Sequence, residues 1–277
     1  MSLAIKNINR NMGRRMLQYV SDMHVDRLKR YELKDTLKHF PIKTTENIAI
    51  CGDVGLPGHE NWKETMLFFS NNYEKIFFVP ENHEFDCSPL YSDEKVKKWD
   101  SYIQDTLSKY KNIHYMQKKI FELDSSTLII GCTLWSHLLK KRDKDIDSEI
   151  FKKHVIRHNE EHDKHVKFIR EHTRNDKNDK NDKNNKNYRN IIILTHYIPT
   201  KKLIEDKYKN IERPYTDENG ISSFFATDLE TLTKDTNITT WICGHSHTTM
   251  SIETNGVSYL MNANTEFHHI GKYILHN

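Results

Sequence analysis

Five short apolar segments of this sequence are each followed at once by side chains that can bind metal ions. The segments are rich in β-branched residues, which favour strands. In open α/β sheets, ligands bind beyond the carboxyl ends of the strands, where these side chains would meet. The segments and the residues that follow them are 19–21 with Asp22 and His24, 48–51 with Asp53, 76–79 with Asn82 and His83, 191–194 with His196, and 241–243 with His245 and His247.

The last segment illustrates what such a strand end can do. Gly244 ends the apolar run, and His245 and His247 follow with one residue between them. Two imidazoles at positions i and i+2 can each reach one ion of a neighbouring pair of metal ions. The chain contains 17 histidines, so one His-x-His is expected by chance. The pattern becomes informative because the four other segments accompany it.

In this order, the segments resemble the sequence blocks of the calcineurin-like metallophosphoesterase superfamily. Those blocks are D-x-H, G-D-x-x-D, G-N-H-D/E, a single histidine and G-H-x-H. The resemblance runs from about Met16 to about Asn264 and is specific as an ordered set, although no single block is specific. It implies an α/β fold: a two-sheet sandwich of mixed strands flanked by helices, in an αββα arrangement.

The resemblance also implies a cofactor of two divalent metal ions. Mn, Fe, Zn and Ni all accept mixed nitrogen and oxygen ligands. A hydroxide between the two ions would attack phosphorus. His83 would face the substrate phosphate and assist catalysis without binding metal. Transferred by position, the ligands are Asp22, His24 and His247 for one ion, Asn82, His196 and His245 for the other, and Asp53 for both.

The sequence departs from these blocks at two positions. Leu56 stands where G-D-x-x-D has its second aspartate, so we expect some support around the ligands to be missing. Glu81 stands where the third block has glycine. If that position requires a positive φ, a non-glycine residue costs about 1–2 kcal/mol there. A turn of different geometry is the alternative.

Composition indicates one globular domain and limits its partners. The chain has 277 residues, of which 36% are hydrophobic, and residues 174–190 form an Asn/Asp/Lys-rich tract that we predict to be a disordered insertion. We divide the chain into a basic N-terminal tail, residues 1–15, and a single domain, residues 16–277. A net charge of +3 is too small to indicate a nucleic-acid partner. The sequence has no apolar run of about 18 residues, so we expect no membrane span.

The cysteines indicate the compartment of the protein. Four are present without a C-x-x-C pair, which predicts buried free thiols in a reducing environment. We therefore expect a cytoplasmic protein. The basic N-terminus leaves targeting to an organelle as an alternative.

Local patterns predict secondary structure in which strands and helices alternate. Apolar stripes at helical spacing predict helices, and Asn-Gly between alternating runs predicts a type I′ hairpin. The patterns used below are the stripe of Trp62, Met66, Phe69 and Tyr73, a capping box at Thr227 that opens a helix to Lys234, and the hairpin turn Asn255-Gly256.

A histidine-rich face marks the helix predicted over residues 145–172. The segment from His158 to His162 is similar to the zinc-protease motif H-E-x-x-H. Asn159 stands where the general-base glutamate must follow the first histidine, which excludes that reaction. We interpret the face as solvated or as turned toward a loop over the site; a separate zinc site is the alternative. Its members are His154, His158, His162 and His165.

Three residues are predicted to contact substrate. Trp135 and His137 belong to a T-L-W-S-H block that resembles a block in bacterial-type members of the superfamily. Packing of Trp135 into the core is the alternative. Tyr197 follows His196 and precedes Pro199, which indicates a loop at the mouth of the site.

These observations predict a metal-dependent phosphoesterase acting on a small-molecule phosphate ester. We prefer a phosphodiester to a phosphomonoester, and a small diester to a protein phosphate, because no substrate-docking module is recognisable. A non-catalytic protein-interaction scaffold on the same fold is the alternative, and a hydrolase of other bonds is a third. The loops that would select the substrate, residues 25–46, 135–172 and 197–220, contain no readable motif.

Overall fold

Strands and helices alternate along the first half of the chain, as the sequence predicts. The computed structural model describes residues 16–40, 45–87, 91–139, 149–173, 188–209, 220–263 and 271–274. The predicted tail and residues 174–187 of the predicted insertion lie outside these ranges. The elements are β1 Met16–Val20, α1 Arg30–His39, β2 Asn47–Cys51, α2 Glu60–Asn72, β3 Lys75–Val79, α3 Asp93–Leu107, β4 Ile113–Tyr115, β5 Lys119–Glu122, β6 Thr127–Gly131, α4 Glu149–Thr173, β7 Asn190–Leu194, β8 Ile238–Cys243, β9 Thr249–Thr254, β10 Val257–Asn262 and β11 Gly271–Ile274.

The strands form two sheets that pack face to face. The first has the order β11-β1-β2-β3-β4, in which β1 to β4 are parallel and β11 is antiparallel. The second has the order β5-β6-β7-β8-β10-β9, with parallel pairs in the middle and an antiparallel strand at each edge. The two-sheet sandwich of mixed strands that the resemblance implies is confirmed.

Both faces of the central strands are buried. Leu17 and Ala49 of the first sheet share one apolar cluster with Ile192 of the second sheet. Ile48 is adjacent to Ala49, and Ile193 is adjacent to Ile192. Both therefore point to the opposite face of their sheet and join the cluster that lies under the helices. Strands buried on both faces require continuous apolar runs, which explains the pattern of the sequence.

The predicted aromatic helix forms as α2. Trp62, Met66 and Phe69 are fully buried on the outer face of the first sheet, and Tyr73 follows the last helical residue. Burial of each large apolar side chain contributes roughly 1.5–3 kcal/mol to stability. The stripe therefore fixes the helix against the sheet, as its spacing predicts.

The four histidines of α4 are buried, so the interpretation of their face as solvated is wrong. Their exposed fractions are 5% or less. Nδ1 of His165 accepts from the Leu134 N–H at 2.9 Å, and Nδ1–H of His162 donates to the Trp135 carbonyl at 2.7 Å. A neutral imidazole packs like an aromatic ring and also binds the backbone of a buried loop. A pattern that counts histidine as polar cannot detect this.

The helix predicted over residues 227–234 does not form. Only a 3-10 turn, Glu230–Thr233, is present. The hydroxyl of Thr227, which the capping box requires, instead accepts from the His137 N–H at 2.7 Å. The Glu230 carboxylate accepts hydrogen bonds from the Thr200 hydroxyl and the Lys202 ammonium group, which lie in the segment after β7. Tertiary partners have displaced the local cap.

The predicted hairpin turn is confirmed. Asn255 and Gly256 join the antiparallel strands β9 and β10, and both have positive φ, at 54° and 75°. A type I′ turn requires this conformation at both positions. A Cβ on Gly256 would have open space around it, so the glycine is needed only for its backbone conformation.

The predicted burial of free cysteines is also confirmed. All four thiols are free and buried. Burial raises the pKa of Cys87 to about 11 and that of Cys132 to about 12, so both stay protonated at neutral pH. Within the described ranges, every helix is too short or too polar to cross a membrane.

The buried α4 histidines should make the fold sensitive to acid. Burial lowers the pKa of His165 well below its ordinary value. Below about pH 6.5 the unfolded chain binds a proton at this histidine that the folded chain does not bind. The unfolding free energy therefore decreases as the pH is lowered. The side-chain oxygen of Asn in His165→Asn can accept from the Leu134 N–H. When the pH is lowered from about 7.5 to about 5.5, we expect the unfolding free energy of this variant to decrease by about 1.4 kcal/mol less than that of the wild type.

Urea unfolding at both pH values measures this difference. His39→Asn is the matched control, because His39 lies on the surface of α1 with its side chain 67% exposed. This control shows how the same substitution changes the pH dependence of stability at an exposed histidine. Equal pH dependence in His165→Asn and the wild type would contradict a neutral, buried His165.

Candidate metal centre

The five predicted ligand segments meet at the carboxyl ends of their strands. β1, β2 and β3 are neighbours in one sheet, and β7 and β8 are neighbours in the other. Backbone N–H groups join the loops: Asp22 donates to the Gly52 carbonyl at 3.1 Å, and Gly244 donates to the His196 carbonyl at 2.9 Å. The His245 N–H donates to the Asp22 carboxylate at 3.0 Å and so links the two sheets.

One group of side chains surrounds Asp22 and Asp53. Together with His24 and His247, they place their ligand atoms within 4.8 Å of one another. His24 Nε2 lies 3.0 Å from His247 Nε2 and 3.5 Å from Asp53 Oδ2. Asp22 is fully buried, whereas the side chain of His247 is 40% exposed. The group therefore opens to solvent on the side of His247.

A second group shares Asp53 with the first. Its ligand atoms come from Asp53, Glu81 and His196, again within 4.8 Å. His196 Nε2 lies 3.8 Å from Asp53 Oδ2, 3.4 Å from Glu81 Oε2 and 2.9 Å from His245 Nδ1. Asp53 thus borders both groups, which is the position of the shared ligand that the resemblance implies.

The ring nitrogens that face each other in His196 and His245 both lack a hydrogen. Nδ1 of His196 lies 2.8 Å from the Cys51 carbonyl, and Nε2 of His245 lies 3.0 Å from the Phe224 carbonyl. A carbonyl only accepts, so each of these nitrogens carries the N–H, and the other nitrogen of each neutral ring is a bare acceptor. Two bare acceptors 2.9 Å apart repel each other, and a cation bound by both removes that repulsion.

Burial controls the charges of the site. It lowers the pKa of His196 to about 3 and that of His245 to about 4, so both rings are neutral near pH 7. Burial and the Asp53 carboxylate raise the pKa of Asp22 to about 7. Burial, the largest single effect, opposes ionisation of Asp53, but the surrounding side chains, among them His247, His196 and His24, together outweigh it and lower the pKa of Asp53. Neutral imidazoles and ionised carboxylates are the forms that bind metal ions.

The backbone at the site is strained. Five of the seven predicted ligands adopt the left-handed region, in which each non-glycine residue costs about 1–3 kcal/mol. Such strain persists only where the surrounding structure fixes it, and here it turns the side chains into one space. The five are Asp22 at φ 56°, His24 at 46°, Asp53 at 57°, His245 at 79° and His247 at 53°.

Two glycines leave room for the ligands. A Cβ on Gly52 would lie 2.5 Å from His196 Nδ1 and 2.6 Å from Glu81 Cγ, and the residue also has φ 79°. A Cβ on Gly244 would lie 2.8 Å from Asp22 Oδ2. All three distances are shorter than real contacts allow. The glycines before Asp53 and His245 are therefore required by the close approach of His196, Glu81 and Asp22.

His83 has a carboxylate partner that the sequence blocks do not predict. Its Nε2 lies 3.2 Å from Oδ2 of Asp26, which follows the first block in the pattern D-x-H-x-D. The carboxylate spacing from Asp22 to Asp26 is the sequence signal that would have found it. His24, Asp26 and His83 also form a third group of possible metal ligands.

Two buried glutamates complete the surroundings of Asp53. Glu84 accepts from the N–H groups of Asp53 at 3.1 Å, Val54 at 2.7 Å and Gly55 at 3.3 Å, so it fixes the turn that carries Asp53. Glu81 is also fully buried. It is absent from the described residues that have positive φ, so the strain considered for this position does not arise.

The residues predicted to contact substrate lie at different depths. Trp135 is only 2% exposed and packs in the core. Tyr197 is also buried; its ring lies 4.2 Å from the His245 ring, and its hydroxyl lies 3.0 Å from the Asn82 side chain. His137 is half-buried. Contact of these three residues with substrate stays a prediction.

A cavity of about 240 Å³ opens beside the predicted ligands. Its walls are largely apolar and aromatic, and no lysine or arginine is among the described residues that line it. A ligand bound in the cavity would therefore meet apolar surface next to the imidazoles. The lining residues are Ile204, Tyr208, Phe225, His245, Ser246 and His247.

Comparison with known proteins identifies the family. A family model described as calcineurin-like phosphoesterase matches residues 19–249, a range that includes every predicted ligand. The chain belongs to the calcineurin-like phosphoesterase family. An uncharacterized protein of Acanthamoeba polyphaga mimivirus, L509, is 30% identical over 258 residues, which are 88% of each chain.

Solved structures share the fold of this calcineurin-like phosphoesterase. Phosphopantetheinyl hydrolase (PptH) from Mycobacterium tuberculosis superposes with a TM-score of 0.58 at 11% identity, over 92% of this chain and 91% of its own. The protein TT1561 of Thermus thermophilus superposes with a TM-score of 0.53 at 11% identity, over 94% of this chain and 99% of its own. At these identities the likeness is one of fold alone.

The pairing of His83 with Asp26 can be tested in the metal-free protein. The hydrogen bond that the His83 ring donates to the Asp26 carboxylate is the largest cause of a raised His83 pKa, and burial opposes it. We expect Asp26→Asn to lower the pKa of His83, measured by NMR titration of the imidazole C–H resonances. Asp86→Asn is the control, because Asp86 lies on the same loop as His83 but has a half-exposed carboxylate. An unchanged His83 titration in Asp26→Asn would contradict the pairing.

Proposed function

We propose that the protein is a dinuclear metal-dependent hydrolase of phosphate esters. The observation that carries this proposal is the pair of bare ring nitrogens of His196 and His245, 2.9 Å apart and next to the Asp53 carboxylate. This arrangement attracts a cation. Membership in the calcineurin-like phosphoesterase family supports the use of that cation for phosphate-ester chemistry.

The available donors fit two divalent ions. Imidazole nitrogens with carboxylate oxygens suit Mn, Fe, Zn and Ni, and no thiolate faces the site among the described residues. Asp53 lies between the two groups and would contact both ions. The proposed ligands are Asp22, His24 and His247 with Asp53 for one ion, and His196 and His245 with Asp53 and an oxygen of the 81–82 turn for the other.

The residues of this chain have distinct tasks in the proposed reaction. Two bound ions would lower the pKa of a water molecule and stabilise negative charge on the phosphate oxygens. Asp26 holds His83 at 3.2 Å and favours its protonated form. The His83 side chain is 23% exposed, so a substrate can reach it. His83 can then protonate the leaving oxygen, which commonly contributes about 10²–10⁴-fold to the rate.

The cavity beside His245 and His247 favours a phosphodiester as substrate. A diester carries a second organic group, which an apolar cavity lined by Tyr208 and Phe225 can hold. A monoester carries more negative charge, for which lysine or arginine is the usual partner. Neither occurs among the described residues of the cavity lining.

Metal binding should stabilise the fold, because it removes the repulsion between the facing nitrogens. At about 100 times its dissociation constant, an ion that binds only the folded state adds about 2.7 kcal/mol to the unfolding free energy. We expect Mn²⁺ to raise the melting temperature of the metal-free protein by several degrees and EDTA to reverse the shift. His196→Gln should lose most of it. The absence of a shift with Mn²⁺, Fe²⁺, Zn²⁺ and Ni²⁺ would contradict a built metal site.

Hydrolysis of bis-p-nitrophenyl phosphate and p-nitrophenyl phosphate tests the activity directly. With Mn²⁺ present, we expect turnover of the diester to exceed that of the monoester. Asp53→Asn should abolish turnover, since the residue borders both groups of ligands. Asp35→Asn, an exposed position on α1, should leave it unchanged.

Each alternative has its own outcome in this assay. Turnover of the monoester alone would replace the diesterase with a phosphatase. A protein that binds two ions but turns over neither compound would overturn this activity. That result would favour the scaffold on the same fold, or a hydrolase of other bonds.

A further inference from the structure

The Glu81 side chain divides its two oxygens between the backbone and the metal centre. Oε1 accepts from the N–H groups of His83 and of Glu84, the latter at 3.1 Å. Oε2 points the other way and lies 3.4 Å from Nε2 of His196. Together with Asp53 and His196 it belongs to one group of ligand atoms. One oxygen is thus anchored, and the other faces the imidazole.

The neighbouring Asn82 amide contacts Glu81 and Tyr197. Its amide satisfies its neighbours when the nitrogen donates to Glu81 Oε2 at 2.5 Å and to the Tyr197 hydroxyl at 3.0 Å. In that orientation its oxygen accepts from the His83 N–H at 3.3 Å. In this orientation the backbone occupies the oxygen of Asn82, and a Glu81 oxygen lies 3.4 Å from His196 Nε2.

The fold makes room for a glutamate at this position. A Cβ on Gly52 would come within 2.6 Å of Glu81 Cγ and 2.8 Å of Glu81 Cβ, so the absence of a side chain at residue 52 creates the space. Glu81 is fully buried. A carboxylate without water is costly unless it is hydrogen-bonded and meets a positive charge. Backbone N–H groups supply the first requirement, and a cation at His196 supplies the second.

From this geometry we infer that Glu81 is the oxygen ligand of the ion held by His196 and His245. It takes the role that the family resemblance gives to Asn82, and the Asn82 amide positions its carboxylate. The inference rests on the dinuclear centre proposed above. A neutral amide ligand is thereby replaced with an anionic one. Carboxylate oxygens favour harder ions, so this position should prefer Mn²⁺ to softer ions of the same charge.

Metal binding tests this assignment without any measurement of turnover. Isothermal titration with Mn²⁺ and elemental analysis after dialysis would be made on the wild type, Glu81→Gln, Asn82→Ala and Asp86→Asn. Glutamine keeps the size of the side chain and an oxygen for the two backbone N–H groups. Asp86→Asn removes one negative charge from the same loop at a half-exposed residue that already has positive φ, which asparagine tolerates.

We expect the wild type and Asp86→Asn to bind two ions with the same affinities. Glu81→Gln should bind one ion unchanged and the other at least about tenfold more weakly. Asn82→Ala should weaken that ion less than Glu81→Gln does. Circular dichroism and thermal unfolding in EDTA would verify that each variant is folded, so that lost binding is not lost structure.

Two results would overturn the inference. One is a Glu81→Gln protein that binds both ions as the wild type does while Asn82→Ala loses one. The other is a wild type that binds fewer than two ions. A wild type that binds two ions but cleaves no phosphate ester would remove the proposed activity and leave the Glu81 assignment to be decided by its own titration.

Discussion

The site depends on one hydrogen bond, from the ring N–H of His196 to the carbonyl of Cys51, at 2.8 Å. His196 follows β7 in one sheet, and Cys51 ends β2 in the other, so this bond spans the sandwich. It also determines which nitrogen of His196 faces the centre without a hydrogen. Cys51 and Leu194 belong to the apolar cluster between the sheets. The packing that aligns the sheets therefore also sets the protonation of a nitrogen at the candidate metal centre.

Strain and charge at the centre follow from the same arrangement. Side chains at the ends of parallel strands can converge only if the chain turns sharply there, and left-handed residues such as Asp22, Asp53 and His245 make those turns. Each is held by strands that are buried on both faces, so the core keeps a backbone that would otherwise relax. The converging groups include the buried carboxylates of Asp22 and Asp53, which repel each other. A cation would relieve this repulsion, which couples metal binding to the junction of the two sheets.

The sequence predicts which side chains converge because most of them lie just beyond the end of a strand, where local pattern and position in the fold coincide. It fails where a role depends on a partner from elsewhere in the chain. Asp26 reads as an ordinary surface acid until His83 is seen beside it, 57 residues away. Thr227 reads as a helix cap until the His137 N–H takes its hydroxyl. The α4 histidines read as polar because hydropathy patterns do not register a neutral ring that binds a buried backbone.

The two departures from the family blocks have a common physical meaning. One block lacks a carboxylate at Leu56, while the carboxylate of Asp26, which follows the first block, contacts His83. The third block exchanges a glycine for Glu81, whose carboxylate lies at the imidazole of His196. In both cases a carboxylate lies beside a histidine of the site, although the family blocks assign no carboxylate to its position. A ligand or proton donor needs a charge of the right sign within about 4 Å, and neighbouring loops can supply it from different residues. A missing motif residue therefore indicates a lost function only when the surrounding loops hold no substitute.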